Sequence, residues 1–289
     1  MNEASPTWVG LAWATLPMLA VMVVLWRQRL GQVGLLSLAA TRLTLQITFL
    51  GWALGFIFAA ESPALLLLVV VVMTAISAYT VGTRRSNATT GRRARGLFAR
   101  LGFGGGDSAA TRTLRLQAFV AIALGASTVM VVAVTLSLGV RPWYDARVVI
   151  PLLGMILGNS VNGVALAAER LDSELRAGRE LIELRLALGA TWRQASLPAA
   201  RAAISTALTP TINSMMIAGI VSVPGMMTGQ ILAGADVNLA LRYQIMMYLL
   251  IAGTVGISTL ALMSVRLRRA FTSAHQLRWD QVQSRPDGT

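Results

Sequence analysis

The chain contains no cysteine and no lysine, one histidine, and only 12 acidic residues in 289. Without cysteine there can be no disulfide, no thiolate metal centre and no cysteine nucleophile. Without lysine there is no Gly-x-x-x-x-Gly-Lys-Ser/Thr phosphate loop; Gly102–Ser108 is glycine-rich but lacks the cation that would reach the phosphates. A His-Glu-x-x-His pair is impossible when His275, in the polar tail, is the sole imidazole. Asp145 and Asp236 fall in separate connections between apolar runs, so no paired aspartates suggest a protease. Catalytic residues are therefore not assigned. Charge as a whole is scarce, at 13% of residues, about half the roughly 25% of a soluble domain. Such a chain cannot cover a water-facing surface in the usual way.

Apolar residues make up 55% of the sequence. They come in runs of about 18 or more, the length an α-helix needs to cross a bilayer core. The runs are Val9–Trp26, Leu35–Ala60, Ala64–Val81, Leu116–Val140, Val148–Ala168, Ala202–Val223 and Leu239–Val265. They predict an all-α polytopic membrane protein of about seven transmembrane helices, forming a single transmembrane domain over 1–289. Continuous runs of this length lack the alternation of membrane β-barrels. The first run follows Met1-Asn2-Glu3 without a basic flank, which reads as a retained span rather than a cleaved signal.

The net charge of +13 comes from 25 arginines, and their placement argues against a nucleic-acid partner. Regions Arg27–Arg42, Thr83–Arg115, Glu169–Arg201 and Arg266–Thr289 hold 22 of the 25, leaving Arg141, Arg147 and Arg242. That is the positive-inside pattern of insertion. It puts these four regions in the cytoplasm, the amino terminus outside and the carboxyl terminus inside, which requires an odd number of spans. The expected location is the cell inner membrane, with lipid as the surrounding partner. Arg42 and Gln46, one turn apart, suit snorkelling to the inner interface or an inner vestibule.

Within the cytoplasmic coupling region 169–200, Leu171, Leu175, Gly178, Ile182, Leu186 and Gly189 recur at helical spacing as an apolar stripe. Opposed charges stand four apart, Asp172 with Arg176 and Arg179 with Glu183, each pair adding roughly 0.3 kcal/mol to a helix. A helix too charged to insert either lies on the surface joining two spans or docks into a partner. The stretch Glu183-Leu184-Arg185-Leu186-Ala187-Leu188-Gly189-Ala190-Thr191, followed by Leu197-Pro198, resembles the "EAA" loop of ABC-transporter permeases. In that loop a Glu lies six residues before a Gly, and a Leu-Pro follows. Here Leu184 and Arg185 replace the paired alanines, and Gly189 lies nine residues before Pro198, about one turn closer than usual. The resemblance implies a helix–turn–helix knob that fits a cleft on a separate ATPase, with Glu183, Gly189, Ala190, Thr191 and Pro198 at the contact. Gly189 permits the sharp turn, and Pro198 is expected to start the next helix.

A second stretch runs from Asn213-Ser214-Met215-Met216 through Pro224-Gly225-Met226-Met227-Thr228-Gly229-Gln230 to Arg242-Tyr243-Gln244-Ile245. Together with Pro151-Leu152-Leu153-Gly154-Met155, Gly158-Asn159 and Pro210-Thr211-Ile212, it resembles the FetB (YbbM-like) iron-export permease family, which includes the plant aluminium-sensitivity permeases. The likeness runs from about Val148 to Val265; the amino-terminal third matches in layout more than in motif. It implies a permease that pairs with a cytosolic ABC ATPase and exports a metal, iron first. ATP and Mg would belong to that partner, with no cofactor held by this chain. One coupling loop per chain and two nucleotide sites per motor imply a permease homodimer with two ATPases. The alternatives are a scaffold that recruits a partner through Thr83–Arg115, or a lipid-modifying enzyme, for which no base is evident in the membrane.

Glycine and proline in Pro224–Gly234 break an apolar stretch, and broken helix at membrane depth must be buried or face a water-filled cavity. The segment reads either as an ordinary connection or as a re-entrant turn forming an outer gate, with freed carbonyls, Thr228 and Gln230 as oxygen ligands. Thioethers of Met216, Met226 and Met227 favour soft ions over iron, and adjacent methionines diverge by about 100° on a helix, so packing competes with a pathway role. Asn159 and Asn162 share a face of the fifth run, and Asn213 lies in the sixth; each suits either a helix–helix hydrogen bond or a substrate path. No metal ligand is assigned.

Overall fold

The computed structural model describes residues 8–29, 31–60, 62–90, 109–139, 141–272 and 276–278. Most of the arginine-rich segment Thr83–Arg115, including Gly102–Ser108, lies outside the described residues, as do His275 and Met1–Glu3. Nine α-helices follow one another among those described: α1 (Trp8–Arg27), α2 (Val33–Ala60), α3 (Pro63–Thr90), α4 (Ala109–Val131), α5 (Ala146–Ala177), α6 (Arg179–Ala187), α7 (Trp192–Ile217), α8 (Gly225–Leu232) and α9 (Val237–Ala270). A π-helical turn, Val132–Ser137, closes α4.

Six helices, α1 to α5 and α9, are long and apolar enough to cross a membrane, so the protein is a multi-pass membrane protein. The expected sixth run corresponds to α7, which has 26 residues but is not apolar enough to qualify alone. Arg193, Arg201 and a series of Ser, Thr and Asn dilute it. It also starts and stops earlier than the apolar run Ala202–Val223, because a capping box opens it at Thr191 and the chain turns extended at Ala218.

Neighbour contacts fix the directions of the helices. The start of α3 shares a buried cluster with the start of α5, through Leu66, Val149 and Ile150, and with the end of α2, through Ile57 and Phe58. Thus α3 runs parallel to α5 and antiparallel to α2. A Cβ placed on Gly125 of α4 would fall 2.1 Å from Ser258 Oγ, and one on Gly253 would lie 3.8 Å from Val129, so α4 and α9 are antiparallel. One on Gly163 of α5 would sit 2.6 Å from Val255 and 3.5 Å from the Ala207 carbonyl. Small residues at these crossings let backbones approach where apolar burial gives no drive, because lipid is as apolar as the core. The turn after α1, the end of α3, the start of α4, the α5–α7 connection and the end of α9 consequently gather at one arginine-rich end.

The main core is formed by α3, α4, α5, α7 and α9. No residue of α2 is buried, and the apolar stretch of α1 is equally open. The stripe anticipated in the coupling region is present: Leu171, Leu175 and Ile182 are buried and Leu186 packs against the same core. It does not belong to a separate surface helix at its start. The fifth apolar run and Glu169–Ala177 form a single 32-residue helix that continues without a break.

Candidate functional site

Two regions concentrate the anticipated functional residues, one at each end of the bundle. At the arginine-rich end, α5 stops at Gly178, whose N–H is donated to the Glu174 carbonyl at 2.9 Å, and the short helix α6 begins at once. The Arg179 guanidinium meets the Glu183 carboxylate at 3.1 Å, as the spacing of four suggested. Buried Ile182 anchors α6 to the core, while Leu181, Leu184 and Leu188 are exposed, Leu188 to 79%. Gly189 then turns the chain with φ +89°, a backbone region that L side chains rarely adopt, although nothing within 4 Å would obstruct a Cβ. Its demand is conformational. The N–H of Ala190 bonds to the Arg185 carbonyl and that of Gly189 to the Leu186 carbonyl, both at 3.0 Å, which closes α6 as a Schellman motif.

Thr191 caps α7. The Thr191 N–H is donated to Gln194 Oε1 at 2.9 Å and the Gln194 N–H to Thr191 Oγ1 at 3.4 Å, a reciprocal capping box. Thr-x-x-Gln was visible in the sequence and is the signal that locates this helix start. Pro198 is consequently not the first residue of the helix: it lies inside α7, exposed, beyond the first turn. Arg185, which departs from the EAA pattern, donates from its guanidinium to the Ala195 carbonyl at 3.5 Å, joining α6 to the first turn of α7.

Sequence reasoning missed the most enclosed charges. Asp172 does not display itself on a solvated helix face: its carboxylate pairs with the Arg266 guanidinium of α9, the two side chains being 6% and 10% exposed. The partners are 94 residues apart, so no local spacing could reveal them. At the same end of the bundle, Trp192 at the start of α7 stacks on Phe271 just past α9, with ring centroids 5.9 Å apart.

At the opposite end, Ala218–Pro224 is non-helical, with Gly219 at φ +78°, and Pro224 caps α8. The segment Pro224–Gly234 is therefore mainly a short helix whose carbonyls are used. Those of Pro224, Gly229, Gln230 and Ile231 accept from Thr228, Ala233, Ala235 and Gly234, each at 2.9–3.0 Å. Thr228 Oγ1 also donates to the Pro224 carbonyl at 3.1 Å. The anticipated freed carbonyls thus already hold backbone partners. Gly225, Thr228 and Gly229 are exposed, and Met226 and Met227 are half-buried. Met226 packs against the main core. Gln230 Oε1 is enclosed without a donor, as is Oε1 of buried Gln244 on α9.

The remaining candidates are dispersed. Asn159 Nδ2 donates to the Met155 carbonyl of its own helix at 2.9 Å, whereas Asn162 is exposed on α5. Asn213 and Met216 lie on an exposed face of α7, Met216 being 70% accessible. Met247 is buried while its neighbour Met246 is half-buried, as divergence on a helix requires. Among the described residues no group of three or more His, Asp or Glu side chains could hold a metal ion.

No solved structure matches this chain. It is 37% identical over 272 residues to UPF0014 membrane protein slr1647 of Synechocystis sp., covering 93% of this chain and 96% of that one. It is 29% identical over 277 residues to the probable iron export permease protein FetB of Escherichia coli, covering 96% and 97% respectively. Protein ALUMINUM SENSITIVE 3 of Arabidopsis thaliana is 28% identical over 264 residues, covering 91% and 87%. The model of the uncharacterised protein family UPF0014 matches residues 8–271, which takes in every described helix from α1 to α9, and the chain belongs to that family of membrane proteins.

Proposed function

We propose that this chain is the membrane-spanning permease subunit of an ABC transporter that exports iron or another metal ion, driven by ATP hydrolysed on a separate subunit. On this reading the arginine-rich end faces the cytoplasm from the inner membrane, with two permeases and two ATPases in the working assembly. The observation that carries it is the projecting α6–Gly189–α7 turn. A knob anchored by buried Ile182 and closed by two capping motifs presents Leu181, Leu184 and Leu188 beside Arg179, Glu180 and Glu183. An exposed apolar cluster with a charged rim has the anatomy of a protein–protein contact. The relative named as a probable iron export permease supports metal as the cargo class. Thr228, Gln230 and Asn213 offer oxygen donors suited to a hard or borderline cation, and α8 serves as an outer gate.

The test is Gly189→Trp. The original chain and the variant are each reconstituted with the ATPase, and intracellular iron is measured in cells under iron stress. The variant should insert normally, lose stimulation of ATP hydrolysis and leave cellular iron as high as in cells lacking the permease. Stimulation and export equal to the original chain would refute the docking assignment.

A further inference from the structure

Helix α9 reaches from the coupling end to the gate end, as α7 does, and among the described residues it is the one whose buried charge is paired with α5 next to the knob. It comprises 34 residues, about 51 Å at 1.5 Å per residue, and no proline interrupts it. At one end Asp236 caps it by accepting from the Leu239 N–H at 3.0 Å, directly after α8. At the other, Arg266 pairs with Asp172 of α5, five residues before α5 ends and the knob begins. Buried Leu171, Leu175, Ile182, Leu267 and Phe271 belong to one core cluster, with Leu171 and Leu267 adjacent in sequence to the two charges.

We propose that Asp172 and Arg266 are positioning residues that couple the knob to α9, and that α9 carries the knob's displacement along its length to α8. The inference rests on the permease reading above. The physical argument is one of direction. Apolar contacts between α5 and α9 impose no directional bond, so by themselves they permit the small shear that packed helices undergo. A charge-assisted pair inside a poorly hydrated pocket tolerates little change in distance or angle. Moving α5 without α9 would leave two enclosed charges apart, so the helices move together. Because α9 is continuous, its outer end must follow, and Met226 of α8 shares the packed core that α9 builds. The small-residue crossings, Gly125 against Ser258 and Gly163 against Val255, guide this movement along α9 by keeping its neighbours close.

The absence of native cysteine permits a clean test. Leu232→Cys at the exposed end of α8 serves as reporter in proteoliposomes containing the permease and its ATPase, labelled with a membrane-impermeant maleimide, with and without ATP plus vanadate. Three versions of that background are compared: Asp172→Asn; Asp172→Leu with Arg266→Met; and the exchange Asp172→Arg with Arg266→Asp. The Leu–Met version keeps the pocket filled and the fold intact, so a purely structural role for the pair would leave its response unchanged. In the reporter background, nucleotide trapping should change the labelling rate by about fivefold or more, a typical coupling factor. Asp172→Asn and the Leu–Met version should flatten that change while still binding the ATPase, and the exchange should restore much of it. A full nucleotide response in the Leu–Met version overturns the proposal while leaving the permease reading in place. Absence of any response in the reporter background, with the ATPase bound, removes the gate and coupling assignments, and this inference with them.

Discussion

Single residues at the α6–α7 turn show how local chemistry shapes the knob. Gly189 is needed for its φ of +89° rather than for space, and Thr191 shares a reciprocal cap with Gln194. Replacing Thr191 by Ala removes one acceptor from the first turn of α7. The expected loss is about 1 kcal/mol, measurable as a lower midpoint of unfolding in detergent, with a smaller loss for Thr191→Ser. The Gly189 turn and the Arg179–Glu183 pair were read from spacing, because turns and i,i+4 pairs are decided within a few residues; the Thr191–Gln194 cap was equally local but was not used. Pro198 was misplaced by the same logic: it is acceptable at a helix start, but the stronger signal, Thr-x-x-Gln, lies upstream and sets the start at Trp192.

Between elements, the decisive features are close crossings of α4, α5 and α9. A methyl added at Gly125 would approach Ser258 Oγ to 2.1 Å and the Thr254 carbonyl to 3.0 Å. Because part of the obstacle is backbone, the helices must separate. Gly125→Ala should therefore lower stability by roughly 1–3 kcal/mol, the usual range for overpacking. Adding Ser258→Gly should recover only part of the loss, since the Thr254 carbonyl stays in place. Gly158 of α5 is the control: nothing lies within 4 Å of its ideal Cβ, and Gly158→Ala should be neutral or stabilising in the same detergent unfolding assay. Both glycines sit in apolar runs and look alike in sequence. Only the neighbouring helix distinguishes them.

For the whole molecule, the antiparallel order of helices collects the arginine-flanked ends on one side, in agreement with the alternation seen along the chain. Six helices satisfy the length and composition of a span, and α7 passes beside them with a more polar sequence. Two single substitutions, Trp143→Cys between α4 and α5 and Gly31→Cys between α1 and α2, should respond oppositely to an impermeant maleimide on intact cells. The Trp143→Cys variant should label directly, and the Gly31→Cys variant only after permeabilisation. The reverse pattern would invert the assembly and place the α6 knob outside the cell.

The helical, multi-pass class and the sided distribution of arginine were written in the sequence, and the expected count of about seven spans came close to the six that qualify. Transfer of a 20-residue run into lipid, or of an arginine across it, is a one-dimensional choice between two solvents. The family likeness and the helix–turn–helix knob were equally accessible, since each depends on order and short-range spacing. Tertiary structure alone joined Asp172 to Arg266, extended α5 past the apolar run into the coupling region, and turned the glycine-rich stretch after Pro224 into a capped helix. Those outcomes depend on which surfaces meet after the helices assemble. A buried carboxylate such as that of Asp172 is stable only because a guanidinium from a distant helix arrives beside it.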